Sequence, residues 1–326
     1  MHLIVLSQEN IELAELEASS LLELNLFTRN AQFMFANIKN IKKINRLAYT
    51  KKVLELLFIC NPKDLDNALY QYDFKKIYKN NFCLRIHDNS HKFNESEYAK
   101  YIWKSLESSK IEPKVNLENP STLIEIIILD NKAFVCRQLW NNKEDFESRK
   151  AHQKPELHPT AMHPKMARAL VNILNKDNIV DPFCGAGGIL TEAALMKIKF
   201  KAYDIDQVQL NRAKINLKYL KINSRSYKLE LKDATNIKNL KNIVTDLPYG
   251  KSSKKTDEII DLYNKFIHNI SGRSVIVFPD FVNYKKILKE NLNKKLEIKK
   301  IISHYVHKSL TRKIVVIDTS KKDINS

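Results

Sequence analysis

The stretch Asp181-Pro182-Phe183-Cys184-Gly185-Ala186-Gly187-Gly188 follows a short apolar run at 179–181 and leads into a leucine- and alanine-rich segment at 188–197. A strand, a turn of small residues and a helix start, in that order, open a βαβ unit. Glycine lets backbone approach a ligand closely, and the unpaired N–H groups at the start of the next helix favour an anionic or polar ligand group. The chain holds only 5 glycines in 326 residues, and three of them stand in this one turn. So glycine-poor a chain is neither collagenous nor a flexible linker, and the tight primed hairpins of barrels and sandwiches are disfavoured. Gly250 closes a second short motif, and Gly272 sits in an ordinary turn before a strand.

Outward from this turn the pattern is regular. Strands are expected at 200–204, 227–231, 242–246 and 274–278, with helices at 206–220, 257–270 and 281–291 between them. Such alternation predicts an α/β fold with a doubly wound, mostly parallel sheet. Two further strands, 298–304 and 314–318, have no helix between them and predict an antiparallel edge hairpin. Upstream, a strand at 2–6, a helix at 10–24, a strand at 33–36, a helix at 44–52 and an apolar run at 54–60 make an α+β module over 1–60. A second module, 61–140, shows a strand at 82–87, a helix at 96–108 and a hairpin of 123–129 with 133–138 around Asp130-Asn131. Residues 141–162 are polar and carry Pro155 and Pro159, so they are expected to be a linker before a domain over 163–326.

Basic residues outnumber acidic ones 55 to 37, a net charge of +18. Residues 1–150 hold 22 basic and 20 acidic side chains, leaving 33 and 17 for the rest, so the back half carries nearly all of the field. A field of this sign attracts polyanions such as RNA or DNA. Because 45 of the 55 bases are lysine in a chain rich in Lys, Asn and Ile, a drift in genome composition would also produce it. No apolar run approaches a membrane span, and the amino terminus lacks the features of a secretory signal, so a cytoplasmic protein is expected. Cys60, Cys83, Cys136 and Cys184 are far apart and read as structural thiols, with no metal site expected.

The glycine turn alone fits NAD, a nucleotide or S-adenosylmethionine, although Leu190 departs from the dinucleotide fingerprint. Asp181, four residues before Gly185, could meet a ligand ammonium group. Asp204, 23 residues after Asp181 at the end of the next strand, is placed to accept ribose hydroxyls. Asp206 reads as the cap of the following helix. Asp233-Ala234, after the third strand, could bond an adenine amino group. Thr245-Asp246-Leu247-Pro248-Tyr249-Gly250 closes the fourth strand. An amine attached to a base is a poor nucleophile because its lone pair is delocalised into the ring. A site that methylates it needs acceptors for the amino hydrogens and a surface for the ring. Asp246 and the Leu247 carbonyl can accept, Pro248 fixes the turn, and Tyr249 can stack.

These residues resemble the Asp-Pro-Pro-Tyr or Asn-Pro-Pro-Tyr signature of class I S-adenosylmethionine-dependent amino-methyltransferases, with Leu247 in place of the first proline. More narrowly, residues 156–170, 181–188 and 307–314 together resemble the archaeal tRNA (guanosine-10) N2-methyltransferases and their eukaryotic counterparts. The resemblance is strong from residue 149 onward and loose before it. Further departures are Ala202, where a glycine often stands, and Gln153-Lys154, where a basic pair is usual.

The resemblance implies a class I methyltransferase domain behind an N-terminal ferredoxin-like module and a THUMP domain, the latter marked by Leu84-Arg85-Ile86 and residues 115–120. It implies S-adenosylmethionine as cofactor, held by Asp181, Cys184, Gly185, Ala186, Gly187, Asp204, Ile205, Asp233, Ala234 and Asp246. His163 at the start of 163–174 would help wall that pocket, although His158 and His163 serve equally as packing or capping residues. Asp246, Leu247, Pro248 and Tyr249 would be the catalytic group, acting on N2 of a guanosine in tRNA flipped over Tyr249. Residues 307–312 would form a basic turn, either solvated or on RNA. Some members need a small zinc-binding activator subunit; otherwise a monomer is expected. Rival readings are a guanosine-6 enzyme, a DNA amino-methyltransferase, and a non-catalytic RNA-binding protein on the same scaffold.

Overall fold

The computed structural model describes residues 1–88, 92–156, 162–249, 253–308 and 310–319. Along the chain run β1 (His2–Leu6), α1 (Ile11–Leu21), β2 (Phe27–Asn30), β3 (Phe33–Ala36), β4 (Thr50–Cys60), α2 (Leu65–Gln71), β5 (Phe82–His87), α3 (Glu95–Ser108), β6 (Thr122–Leu129) and β7 (Lys132–Asn141). There follow α4 (Pro164–Leu174), β8 (Asn178–Asp181), α5 (Gly188–Leu195), β9 (Lys199–Asp204), α6 (Gln207–Tyr219), β10 (Tyr227–Leu231) and β11 (Ile243–Asp246). The last elements are α7 (Ser253–His268), β12 (Ser274–Pro279), α8 (Tyr284–Asn291), β13 (Leu296–His307) and β14 (Leu310–Thr319). They pack as two units. One comprises 1–7, 24–45 and 50–142, the other 8–23, 46–49 and 143–326.

The larger unit holds the expected doubly wound sheet, in the order β10-β9-β8-β11-β12-β14-β13. Strands β8 to β12 are parallel, and β14 runs antiparallel between β12 and β13. The chain winds outward from β8 to β10 and then returns to β11, so the carboxyl ends of β8 and β11 flank a topological switch point, where open α/β sheets bind ligands. Every residue of β12 is buried, as a strand covered on both faces requires. Helix α4 is buried from Met166 through Leu174, packed by α1 as well as by α5 and the strands.

Helix α1 belongs to this unit and packs on α4. Its Glu17 carboxylate, fully buried, accepts from the backbone of Ala48 and Tyr49 at 2.8 and 2.7 Å and from Asn172 Nδ2 of α4 at 2.7 Å. The front of the 141–162 stretch is likewise packed. The Phe146 ring lies 5.0 Å from the Arg149 guanidinium and 5.2 Å from that of Arg168, and both arginines meet the buried Glu192 at 2.9 Å. No helix among the described residues is long and apolar enough to cross a membrane.

The smaller unit is a seven-stranded sheet, β2-β3-β1-β4-β7-β6-β5, antiparallel except for β5 with β6. Helices α2 and α3 cover one face, setting Leu65, Leu69, Ile102 and Leu106 against Leu84, Ile124 and Ile126. Each such side chain, fully buried, contributes about 1.5–3 kcal/mol. The β6–β7 hairpin turns on Asp130 and Asn131 at φ of 48° and 56°, the left-handed pair that its sequence predicts. The helix expected at 44–52 is not formed. Residues 41–46 make a short 3₁₀ segment, and Thr50 begins an eleven-residue strand paired with β1 on one side and β7 on the other. Two ladders of backbone hydrogen bonds outweigh the weak helical spacing of that stretch. Strand β2 and helix α2 were not expected from the sequence.

Candidate active site

The glycine turn after β8 is shaped by its backbone. Gly185 has φ of +49° and Gly187 +83°, and a Cβ on Gly187 would stand 3.2 Å from that of Ala213 on α6. Both the handedness and the close approach disfavour a side chain at 187. Asn216 of α6, read from the sequence only as part of a helix, donates to the Ala186 carbonyl at 3.0 Å and brackets the backbone of Glu156 at 3.1 Å on each side. Asp204, ending β9, accepts from Gly185 N–H at 2.8 Å and from Asp206 N–H at 2.9 Å. Asp206 caps α6 through Val208 N–H at 2.8 Å, as its position predicts. Asp233 caps a short turn through Thr235 N–H at 2.8 Å.

Asp181 is 1% exposed and accepts from Thr245 Oγ1 at 2.7 Å and Phe183 N–H at 3.2 Å. Burial, reinforced by Asp204 and Asp246, nonetheless pushes its carboxyl up to about 7. Cys184 is buried too, and burial drives its thiol far above the ordinary range, so it is an inert packing group.

Asp246 ends β11, and the backbone continues the ladder for one residue, Leu247 N–H donating to Val277 O at 3.1 Å. The Leu247 side chain enters the core at 1% exposure. Tyr263 of α7 donates its hydroxyl to the Pro248 carbonyl at 2.5 Å, which pins the turn. Tyr249 donates to Asp246 Oδ1. Arg312 of β14 donates from Nε to the Tyr249 hydroxyl at 2.9 Å and from Nη2 to Asp246 Oδ2 at 3.1 Å, with its guanidinium 5.8 Å from the Tyr249 ring centre. Burial raises the Asp246 carboxyl although Arg312 and Tyr249 oppose it. Burial followed by the Asp246 charge drives the Tyr249 hydroxyl far up, so it stays a donor.

These groups line one cavity of about 570 Å³ at the carboxyl ends of the strands. It gathers Asp181, Cys184, Gly185 and Ala186 of the turn, Asp204 and Ile205 after β9, Asp233 and Ala234 after β10, and Asp246 to Tyr249 after β11. Two expected residues are not on its wall. Gly187 is turned under α6, and His163 is the cap of α4, accepting from Lys165 N–H at 3.2 Å while its other nitrogen lies 3.2 Å from Glu147; Met162 lines the cavity instead. Gly250 and His158 lie outside the described residues.

Sequence reasoning missed Met162, Gln209 and Lys232, the apolar Ile259 and Leu262 of α7, and Arg312. The basic turn expected over 307–312 ends too late: β14 begins at Leu310, and Arg312 is 4% exposed. The signal was alternation, since Arg312 shares its strand face with Ile314 and Val316. Chemically, four aspartates around an apolar floor suit a ligand with positive charge and a diol, and the Asp246–Tyr249 pair suits a flat base bearing an amine.

A protein-family profile described as RMKL-like, methyltransferase domain, matches residues 151–314, and one described as DNA methylase matches 16–214. The tRNA (guanine(10)-N2)-dimethyltransferase of Methanothermobacter thermautotrophicus is 30% identical over 96% of this chain and 93% of its own length. The tRNA (guanine(6)-N2)-methyltransferase of Archaeoglobus fulgidus is 25% identical over 58% of this chain and 51% of its own. Among solved structures, TrmN from Thermus thermophilus superposes with a TM-score of 0.51 at 16% identity, covering 98% of this chain and 99% of that one, a likeness of fold.

Proposed function

From a chain that belongs to the tRNA (guanine(10)-N2)-dimethyltransferase family, and from the groups its cavity brings together, we infer methylation of N2 of guanosine 10 in tRNA, carried as far as the dimethylated base. The sheet is that of a class I methyltransferase, and the protein is an S-adenosylmethionine-dependent tRNA guanine-N2 methyltransferase. The finer assignments, the nucleotide and the role of each residue, are the proposal.

The cavity fits the cofactor by the chemistry of its donors. Asp204 offers carboxylate lone pairs to ribose hydroxyls, the backbone at Gly185 is open to close approach, and Asp233 with Ala234 stands where the adenine edge would lie. The acidic lining offsets a sulfonium and an ammonium charge. When bound, S-adenosylmethionine supplies a methyl group on a positively charged sulfur and departs as a neutral thioether. The observation that carries the assignment of catalytic residues is the Asp246 carboxylate with Tyr249 beside it, on the wall that Asp204 also lines. Asp246 Oδ1 accepts a hydrogen of the guanine amine, fixing its direction, and takes the proton that N2 sheds for each methyl gained. The Leu247 carbonyl is the second acceptor, and the Tyr249 ring carries the base. Positioning and hydrogen bonding supply most of the acceleration.

The smaller unit is assigned to ferredoxin-like and THUMP modules that engage the tRNA, supported by the family resemblance, and the positive charge of the back half favours the same partner. The test is incubation of unmodified tRNA transcripts with cofactor, followed by nuclease mapping. N2,N2-dimethylguanosine at position 10 is expected from the purified monomer. Modification at guanosine 6 would move the target and leave the chemistry, and modification of adenine or cytosine would overturn the substrate. Activity seen only on adding a small zinc-binding subunit would identify that partner.

A further inference from the structure

Both oxygens of Asp246 are already engaged: Oδ1 by the Tyr249 hydroxyl and Oδ2 by Arg312. An acceptor for a substrate amine is thus held by two side chains of the protein, and an incoming amine competes with the Tyr249 hydroxyl for Oδ1. Arg312 comes from a distant part of the chain, and the sheet delivers it. Asp246 pairs with Val277 of β12, Val277 pairs with Ile314 of β14, and Arg312 lies two residues along on the same face, opposite Pro279. Asp280 N–H donates to Thr311 O at 3.0 Å and holds that end of the ladder together.

We propose that Arg312 is a positioning residue for methyl transfer: it keeps Asp246 an aimed carboxylate and retains the Tyr249 hydroxyl when Oδ1 is handed to the substrate amine. The planar fork of a guanidinium is what allows this. Nε and Nη2 reach two different acceptors at once, which a single ammonium point charge does not do with fixed geometry. As the amine hydrogen replaces the Tyr249 hydroxyl on Oδ1, that hydroxyl still accepts from Nε, so the ring is not released from the wall. The proton shed by N2 then goes to Oδ1, while Oδ2 keeps its bond to Nη2.

The charges around Asp246 agree with this role. Asp181 on β8 and Tyr263 on α7 face it, Tyr249 stands in its own turn, and His304 on β13 lies opposite Arg312. Arg312 is the cation in direct contact, and its charge opposes the rise that burial imposes on the Asp246 carboxyl. Without it Asp246 would hold its proton to higher pH.

The inference rests on Asp246 as the acceptor, and the experiment separates the two. Single-turnover methylation of unmodified tRNA transcript is followed against pH for the wild type, Arg312→Ala, Arg312→Lys and Asp246→Asn, with equilibrium cofactor binding and thermal melting recorded for each. Arg312→Ala is expected to lose about 100-fold in rate at neutral pH and to move the acid limb up by about one to three pH units. Cofactor affinity should stay within about threefold, since Arg312 touches none of the groups assigned to the cofactor except through Asp246. Added guanidinium should restore part of the rate to Arg312→Ala and none to Asp246→Asn. Arg312→Lys should keep the acid limb near that of the wild type and lose rate, because it keeps the charge and not the fork. An unchanged rate and pH profile in Arg312→Ala would overturn the inference. So would an equal loss at every pH without rescue by guanidinium. If Arg312→Ala does not fold, the profile of Arg312→Lys decides, and wild-type rate in that variant would refute the two-acceptor geometry. Full activity in Asp246→Asn would instead sink the assignment of Asp246, whatever Arg312 does.

Discussion

Each sheet buries a carboxylate to 1% exposure, Glu125 on β6 of the smaller unit and Asp181 at the end of β8 of the larger, and the two are treated in opposite ways. Around Glu125 the structure supplies a cation and an imidazole: Lys52 Nζ at 2.6 Å and His87 Nε2 at 2.7 Å. Burial alone would raise its carboxyl, yet those partners outweigh burial and hold it below the ordinary value. Asp181 receives neutral donors, Thr245 and a backbone N–H, and has acids for neighbours, so its carboxyl rises to about 7. A compensated carboxylate is what a scaffold needs. An under-compensated cluster at the carboxyl edge of a sheet is costly, and it is tolerated where a cationic ligand completes the charge balance.

The sharpest test of that contrast is at Asp246, an acid of the cavity with the Arg312 guanidinium 3.1 Å away. Asp246→Asn keeps the shape and removes the charge, and a loss of about 1,000-fold in the methyl-transfer rate is expected with cofactor binding nearly intact. Turnover close to wild type in a single-turnover assay would put the essential acceptor elsewhere. Asp181→Asn should act on stability. A carboxyl whose folded value is raised from 3.8 to about 7 contributes stability below pH 4 that is lost as the pH climbs through 7. An asparagine oxygen can still accept from Thr245 and Phe183, so the variant should gain on the wild type across that window, by up to about 4 kcal/mol above pH 7. Chemical denaturation at pH 5 and pH 8 reads the gain. Parallel stability curves for the two proteins would mean that Asp181 is not held neutral.

What was legible in the sequence was what is contiguous in it. Asp181 to Gly188, Asp204 and Asp246 to Tyr249 each follow a strand directly, so strand–helix alternation was enough to bring their loops to one end of the sheet. Arg312 was not legible because its meeting with Asp246 depends on β14 pairing with β12, and a Thr-Arg-Lys run looks like a charged turn until the strand's starting point is known. Of the two readings the sequence left open for His163, the structure has the cap: Pro164 starts α4, so the imidazole caps the helix and Met162 takes the wall. At 44–52 the local pattern favoured helix, and pairing on both edges of β4 overrode it. Nor does chain order reveal that α1 packs on α4, since Glu17 meets Ala48, Tyr49 and Asn172 only once the fold has formed.

The smallest effect falls on the compensated side and should carry the opposite sign with pH. Lys52→Met removes one cation from Glu125 while leaving an apolar stem of similar length on β4. The carboxylate then has His87 alone, and burial is opposed by less. Because Lys52 is itself 28% exposed, water makes good part of the loss, and a destabilisation of about 1–3 kcal/mol near neutral pH is expected, below that for a sealed pair. Glu125 held below its ordinary 4.5 contributes stability that is present above that value and lost as pH falls through the lower, folded one. The difference between Lys52→Met and wild type should therefore be largest near pH 7 and close as the pH is lowered toward 4. Asp181→Asn also separates from wild type as the pH is raised, but as the more stable protein of the two. If melting experiments showed the Lys52→Met deficit unchanged down to pH 4, the lysine would be acting through its packed stem, and Glu125 would not be the charge-balanced counterpart of Asp181.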